Sequence, residues 1–389
     1  MGSLGRKRSA VAAALILGGL ALGCSLSPGS VTQPPAQAAP ETPALLTVHL
    51  VKNGEAPDLE SLTLDISSLR IRTAGLWRTV PLDQGLGPVD ILAATSASPA
   101  TLATAVPWPD QLSDAFQLGM GTGSTVVMAT GEDTSGEEPL QVPQVLAGIM
   151  GPPGEVSPSG KATLDLWITL DVANRVVAGQ DGGATLVPPV VRAFDLSRTG
   201  SVSGIVQGGD GSPLAGAAVS AQLYQAAGPY AAVPSFRAGL SDDSGNYQLD
   251  LLPVDMAWAV VGSGGGGAFA VGPPLDLGLA PYADLTCDLG LASLDLPGTV
   301  GGTASLASGI EGRVDLVVDQ DAGETQGTFA VQSAEVGSGG TFAFTGVQPG
   351  TYRAVLNRLS YDPSTGVTDH PLWSASFQVG PGSAVTLNF

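Results

Sequence analysis

Apolar residues recur at every second position in short runs along most of this chain, and clusters of Gly, Pro, Asp and Ser separate the runs. A period of two predicts half-buried β-strands, and long helical periods are absent. Leu46, Val48 and Leu50 alternate with Thr47, His49 and Val51 in an opening strand. Leu62, Leu64 and Ile66 continue the period, and Ser67-Ser68 shifts its phase before Leu69 and Ile71, as a β-bulge does. Gly75-Leu76-Trp77-Arg78-Thr79-Val80 reads as the return strand of a hairpin. The longest clean alternation is Leu164, Leu166, Ile168, Leu170 and Val172; Asp165, Trp167, Thr169 and Asp171 then face away from that core.

Two later stretches share a layout. Val202 to Val206 is a strand, Gly208 to Ser212 a turn, and Asp243 to Gly245 a second turn before Tyr247 and Leu249. Further on, Phe342 and Phe344 share one face, Pro349-Gly350 turns the chain, and Tyr352, Ala354 and Leu356 point back inward. Phe377 and Val379, then Val385, Leu387 and Phe389, close that sheet. The expected fold class is all-β, as tandem β-sandwich modules at 44–197, 200–296 and 297–389.

The N-terminus has its own grammar. Arg6, Lys7 and Arg8 precede an uncharged run from Ser9 to Gly23, which is shorter than the ~20 residues a membrane-spanning helix needs. A single uncleaved span is the alternative, and Leu20-Ala21-Leu22-Gly23-Cys24 decides against it. That sequence resembles the bacterial lipobox, which implies cleavage after residue 23 and acylation (palmitate-type chains) of Cys24. Two or three acyl chains, at about 0.8 kcal/mol per buried CH₂, anchor a protein stably. Residues 24–43, rich in Ser, Pro, Gln and Ala, read as a flexible tether. The expected location is therefore exported and membrane-anchored, with Ser25 favouring the outer membrane or cell surface by analogy with enteric sorting.

Composition narrows the function classes. Removing Arg6, Lys7 and Arg8 leaves 12 basic against 35 acidic residues, about −23. That charge repels nucleic acid and anionic membrane surfaces alike, and no Lys/Arg cluster survives cleavage, so nucleic-acid binding is not expected. Cys287 loses its only possible disulfide partner once Cys24 is acylated, and reads as a small buried hydrophobe.

The modules carry family resemblances. "LLTVHLVKNGEAPDLESLTLDISSLRI", "GLWRTVPL" and "GPVDIL", with "KATLDLWITLDVANRVV" and "LVPPVVRAFDLSRTGSVSGIV", are similar to the domain of unknown function DUF4382 over roughly 150 residues. That resemblance implies an exported protein, often a lipoprotein, with no established biochemical role. "GSVSGIVQGGDGSPLAGAAVSAQL" and "SDDSGNYQLDLLP" resemble the carboxypeptidase regulatory-like, transthyretin (prealbumin)-type sandwich. The Pro-Gly-Thr-Tyr turn at 349–352 marks the third module as a divergent copy of the same sandwich.

Catalytic motifs are scarce. Gly262 to Gly267 satisfies G-x-G-x-x-G, but Pro273-Pro274 and strand-like sequence follow where a dinucleotide site needs a helix. Asp319, Asp321 and Glu324 lack the ligands and spacing of a Ca²⁺ loop and read as a hairpin turn. His49 reads as a half-exposed sheet residue, and His370 as a loop residue before Pro371. Asp165 and Asp171, six apart on one strand face and so ~20 Å apart, cannot form a glycosidase pair. The terminal Val385 to Phe389 recurs in form at the ends of outer-membrane barrels, but most runs are shorter than barrel strands. No cofactor or metal is expected.

Trp108, between Pro107 and Pro109, and Trp167, on the polar side of its strand, are the candidate ligand-contact aromatics; packing beneath a loop or second sheet is the favoured reading of both. The expected function is that of a non-enzymatic cell-envelope lipoprotein with a structural, interaction or display role. Its partners are the membrane, through lipid on Cys24, and an envelope protein or glycan. The alternatives are a carbohydrate-binding surface lipoprotein and a hydrolase with an unrecognised carboxylate site.

Overall fold

The computed structural model describes residues 43–389 apart from 57–58, 110, 130–135, 151–155, 173–175, 179–183, 187–190, 225–234, 255, 265, 277–281, 295, 308–310, 323–324, 338, 363–365 and 370. Cys24, its leader and most of the tether lie outside the described residues, as does His370. Thr42–Phe389 forms one compact unit. Its described regular elements are strands, apart from a 3₁₀ turn at Leu196–Arg198. The molecule is all-β, and its strands fall into three successive pairs of sheets.

The first pair holds an eight-stranded sheet. From edge to edge its strands are Leu76–Val80, Ile66–Thr73, Ser113–Met120, Val145–Met150, Val191–Asp195, Thr163–Asp171, Ala44–Asn53 and Ala100–Trp108. The sheet curls until its edges approach: beyond Val80, the Asp83 amide donates to Leu102 O at 3.0 Å, and its carboxylate accepts from Thr104 Oγ1 at 2.7 Å. A six-stranded sheet that includes Leu59–Leu64 and Thr125–Met128 covers the inner face. The inward residues Leu46, Val48, Leu50, Leu164, Leu166, Ile168 and Leu170 meet Leu62, Leu64 and Val126 in one core. The phase shift read at Ser67-Ser68 is a bulge against Gly119, and Leu76–Val80 returns as a hairpin on Ile66–Thr73.

The second and third pairs share a topology, strand for strand. In the second, Thr199–Gln207 lies between antiparallel Asn246–Pro253 and parallel Asp284–Thr286, facing a sheet ordered Ser235–Leu240, Ala218–Leu223, Ala257–Ser263, Phe269–Val271. In the third, Gly298–Thr303 lies between antiparallel Thr341–Val347 and parallel Ala384–Asn388, facing Thr325–Glu335, Glu311–Ala322, Gly350–Asp362, Gly366–Asp369. Each is a sandwich with an aromatic core: Phe236 packs on Trp258 at 5.0 Å in the second, and Phe342 on Phe344 at 6.1 Å in the third. Cys287 is buried in the second core, where its thiol pKa is raised, chiefly by burial.

The three pairs pack on one another through buried contacts. On the outer face of the first sheet, Val51, Trp167 and Phe194 join the core of the second pair, and the Arg192 guanidinium lies 4.8 Å from the Phe236 ring centroid. Ala259 and Val261 of the second pair join the core of the third, where Tyr224 packs edge-on against Phe329. The glycine run at 262–267 serves this second junction: a Cβ on Gly267 would stand 1.3 Å from Gly346 O. Asp319 is ion-paired with Arg353 and accepts from Thr328 Oγ1 at 2.7 Å. The side chains of Asp321 and Glu324 fall outside the described residues.

Candidate functional site

Trp108 belongs to the core. It is 3 % exposed, ends the strand Ala100–Trp108 and pairs with Ala44. Its Pro neighbours read as a loop, but the strand is an edge strand, where a missing N–H breaks no ladder bond. Trp108 is thus packed into the first core and not exposed on a loop. Trp167 also packs beneath a neighbour: it faces away from the first core as its strand alternation requires, and the second sheet pair covers it to 8 % exposure. His49, opposite it in the parallel register, packs its ring at 5.0 Å and a 46° tilt and is half-buried, hydrogen-bonded through Nδ1 to Thr101 Oγ1 at 3.1 Å. Burial lowers the His49 pKa, against an opposing pull from Asp165.

Trp167 nevertheless lines a cleft of about 480 Å³ between the first and second sheet pairs. Ser96 and Ala97 form the wall from the first pair. Ser201, Gln248, Asp250, Tyr282 and Asp284 supply the polar wall from the second. Among the described residues the buried indole Nε1 of Trp167 has no hydrogen-bond partner. A buried indole N–H ordinarily has one, so this donor is unspent.

Backbone irregularity builds the polar wall. Gly200 pairs with Leu252 and Val202 with Leu249, so Asp250 and Leu251 together oppose Ser201 in a β-bulge. Leu251 takes φ 61°, and Tyr282 takes φ 58°. Four non-glycine residues among those described have positive φ, and two of them line this cleft. Left-handed φ at bulky residues costs of order 1–2 kcal/mol each, and such strain concentrates where it re-aims side chains.

The two carboxylates of the cleft are held in place. Asp250 Oδ2 accepts from Ser96 Oγ at 2.7 Å, and its Oδ1 accepts from Gln248 Nε2 at 2.6 Å. Asp284 accepts a hydrogen bond from Ser201 Oγ. Beneath them the Arg237 guanidinium donates through Nε to Asp250 O at 3.0 Å and through Nη1 to Lys52 O at 3.2 Å. Burial pushes the Arg237 pKa down to about 10, with Asp250 pulling the other way. Tyr282 is 63 % exposed at the mouth and presents its ring to solvent.

The cleft thus combines an exposed aromatic ring, an indole floor, fixed carboxylate acceptors, and amide and hydroxyl donors. Of these, only Trp167 stands out in the sequence. Asp250 and Asp284 are 34 residues apart on different strands, and no local pattern marks either one. The bulge at Asp250–Leu251 carries no glycine or proline that would announce it. Among the described residues, no group of three or more His, Cys, Asp or Glu is placed to hold a metal, and no helix is long and apolar enough to cross a membrane.

No family model matches the chain, and no curated protein does. Among solved structures it overlaps the Bacillus anthracis TIE protein at TM-score 0.21 and 8 % identity, over 89 % of this chain and 50 % of that one. The chain thus spans half the length of that protein. A streptococcal ancillary pilin overlaps at TM-score 0.19 and 12 % identity, over 88 % and 98 % of the two chains. A putative carbohydrate-binding protein from Bacteroides uniformis ATCC 8492 overlaps at TM-score 0.17 and 8 % identity, over 46 % and 98 %. Superpositions this loose assign no function.

Proposed function

We propose that this chain is an exported, lipid-anchored, non-enzymatic envelope protein that displays a saccharide-binding cleft between its first and second sheet pairs. The cleft itself carries the proposal: Tyr282 and Trp167 stand with Asp250, Asp284, Gln248 and Ser201 around about 480 Å³. A sugar ring has an apolar C–H face and a rim of hydroxyls, so it needs a flat aromatic surface beside fixed acceptors and donors. The lipobox at Cys24 supplies the anchor and the acidic surface keeps the displayed part soluble.

The test is binding of the soluble chain to a saccharide panel, followed by calorimetry on the hits. Tyr282→Ala is expected to weaken binding by 10-fold or more, on the order of the 1–3 kcal/mol of one stacked ring. Asp284→Asn is expected to weaken it by roughly 10-fold or more, the cost of about one charge-assisted hydrogen bond. Binding that survives both changes overturns the reading of this cleft. Turnover of a glycoside, lost in Asp250→Asn, would replace it with a hydrolase.

A further inference from the structure

The rim where the described chain begins differs from the rest of the molecule in charge and exposure. Strand directions fix which residues stand there. The opening strand starts at Ala44, beside Trp108 and Ala162. Following the register across the curled sheet brings the end of Val191–Asp195, the start of Ser113–Met120 and the hairpin between Ile66–Thr73 and Leu76–Val80 to the same side. The Ala74 amide closes this side by donating to Leu112 O at 3.2 Å.

Leu45, Leu76 and Leu112, respectively 40 %, 65 % and 50 % exposed, lie on this rim. They are all the exposed large hydrophobic side chains that the described part of the first pair has. Arg70, Arg72, Arg78, Lys161 and Arg198 lie on the strands and turns of this side, five of the 12 basic residues beyond residue 8, with Asp114, Asp165 and Asp195 among them. Arg70 and Arg72 flank the Trp77 ring at 5.6 and 5.7 Å. Arg72 is paired with Asp114, and Lys161 with Asp195. Arg70 and Arg78 are exposed and make no ion pair among the described residues. The far ends of the same strands carry Glu55 and Asp65 instead. Arg70, Arg72 and Arg78 fall within nine positions of the chain, and the sheet brings Lys161 and Arg198 to the same side.

We propose that this rim lies against an anionic lipid bilayer, with Leu45, Leu76 and Leu112 entering the headgroup region. The proposal deepens the envelope-lipoprotein reading and rests on it for the presence of a membrane. Only 19 residues separate Cys24 from Ala44, so lipid on Cys24 delivers this rim to the surface first. The second pair meets the first sheet at Val51, Lys52, Asn53, Trp167 and Phe194, and the third meets it at Val145–Met150, while Leu45, Leu76 and Leu112 stay exposed beside both. The chain from residue 24 onward carries about −23, which repels an anionic surface at long range, but charges more than about 8–10 Å from the surface are screened at physiological salt and the rim acts at contact. Each cation at the surface multiplies partitioning roughly fivefold, and the leucines add the apolar term of an interfacial anchor.

The experiment uses the chain from residue 24 onward with Cys24→Ser, so that no lipid contributes. It is floated with phosphatidylcholine vesicles that contain, or lack, about a third phosphatidylglycerol. The chain is expected to float with the anionic vesicles alone. Arg70→Gln with Arg78→Gln is expected to lower its partitioning roughly 20-fold. Leu76→Ser with Leu112→Ser is expected to lower it several-fold; all four side chains are exposed, and matched near-ultraviolet circular dichroism confirms folding. Absence of flotation, equal flotation with both vesicles, or flotation unchanged in both double variants overturns the proposal. Radiolabelled palmitate on the unmodified chain in cells separates the two readings. Acylation without flotation overturns the rim and leaves the anchor, and flotation without acylation supports the rim and overturns the anchor.

Discussion

Gln222 and Ala330 exchange two hydrogen bonds across the junction of the second and third sheet pairs: Gln222 Nε2 donates to Ala330 O at 2.7 Å, and the Ala330 amide donates to Gln222 Oε1 at 2.9 Å. A side-chain amide here does the work of a neighbouring strand. Asn53 repeats the device at the other junction, donating to Phe236 O at 3.3 Å and accepting from the Ala238 amide at 3.1 Å. Both side chains are buried, at 1 % and 5 % exposure, so each orphaned partner costs about 1–3 kcal/mol. Gln222→Met keeps the volume and removes both bonds. It is expected to lower stability by roughly 2–4 kcal/mol in denaturant unfolding, and to release the third pair as a separate transition. A single unchanged transition would show that the apolar contacts alone hold the junction.

Arg237 ties the first junction to the cleft, because its guanidinium bonds the Lys52 and Asp250 carbonyls at once. Arg237→Met leaves both carbonyls without that donor, and is expected to cost about 2–3 kcal/mol. It is also expected to weaken saccharide binding several-fold, since the backbone that carries Asp250 loses its support although Arg237 is not among the cleft residues. Calorimetry of ligand binding beside a thermal melt checks both effects. Lost stability with unchanged affinity would confine Arg237 to the scaffold.

Alternation made the first core legible. Leu164 to Leu170 point where their period directs, and the Ser67-Ser68 phase shift is a real bulge. A period of two separates two faces but does not say what covers the second one. Thr169 sits on the face that the alternation turns away from the core, yet it is buried, as are the polar Arg192, Asn53 and Gln222 at or near the junctions. Trp167 carries the same lesson, polar-side by pattern and buried by packing. The cleft was less legible still, because it is assembled from residues between Ser96 and Asp284 and aimed by left-handed φ at Leu251 and Tyr282, residue types that carry no turn signal.

The glycine run at 262–267 separates conformational from steric demands. Gly266 and Gly267 share φ 85°, but a Cβ on Gly266 meets open space while one on Gly267 meets Gly346 O at 1.3 Å. Gly266→Ala is therefore expected to cost about 1–2 kcal/mol, the strain of left-handed φ alone. Gly267→Ala adds the displacement of a backbone in the third pair, and is expected to cost at least ~3 kcal/mol. Thermal melts of the two variants, run side by side, test the difference. Equal losses would mean that the junction yields without cost.

Alkali probes the second core through Tyr247, whose hydroxyl donates to the Cys287 carbonyl. Burial is the largest cause of a strong upward shift in the Tyr247 pKa, with Cys287 and Asp288 adding to it; burial also pushes Tyr352 up to about 12. In the unfolded chain both phenols titrate near 10. A folded-state pKa above the unfolded one favours the native state fully below about pH 10, and that contribution is lost as pH rises toward the folded value. Stability measured by denaturant midpoint is therefore expected to fall from about pH 9 upward, as the unfolded state sheds phenolic and Cys287 thiol protons that the native state retains. Tyr247→Phe removes one of these linked protons along with its hydrogen bond. Its unfolding free energy is expected to start about 1 kcal/mol lower at neutral pH and to fall less steeply in alkali. Parallel pH profiles for the two proteins would mean that the native fold lets Tyr247 ionise like an exposed phenol.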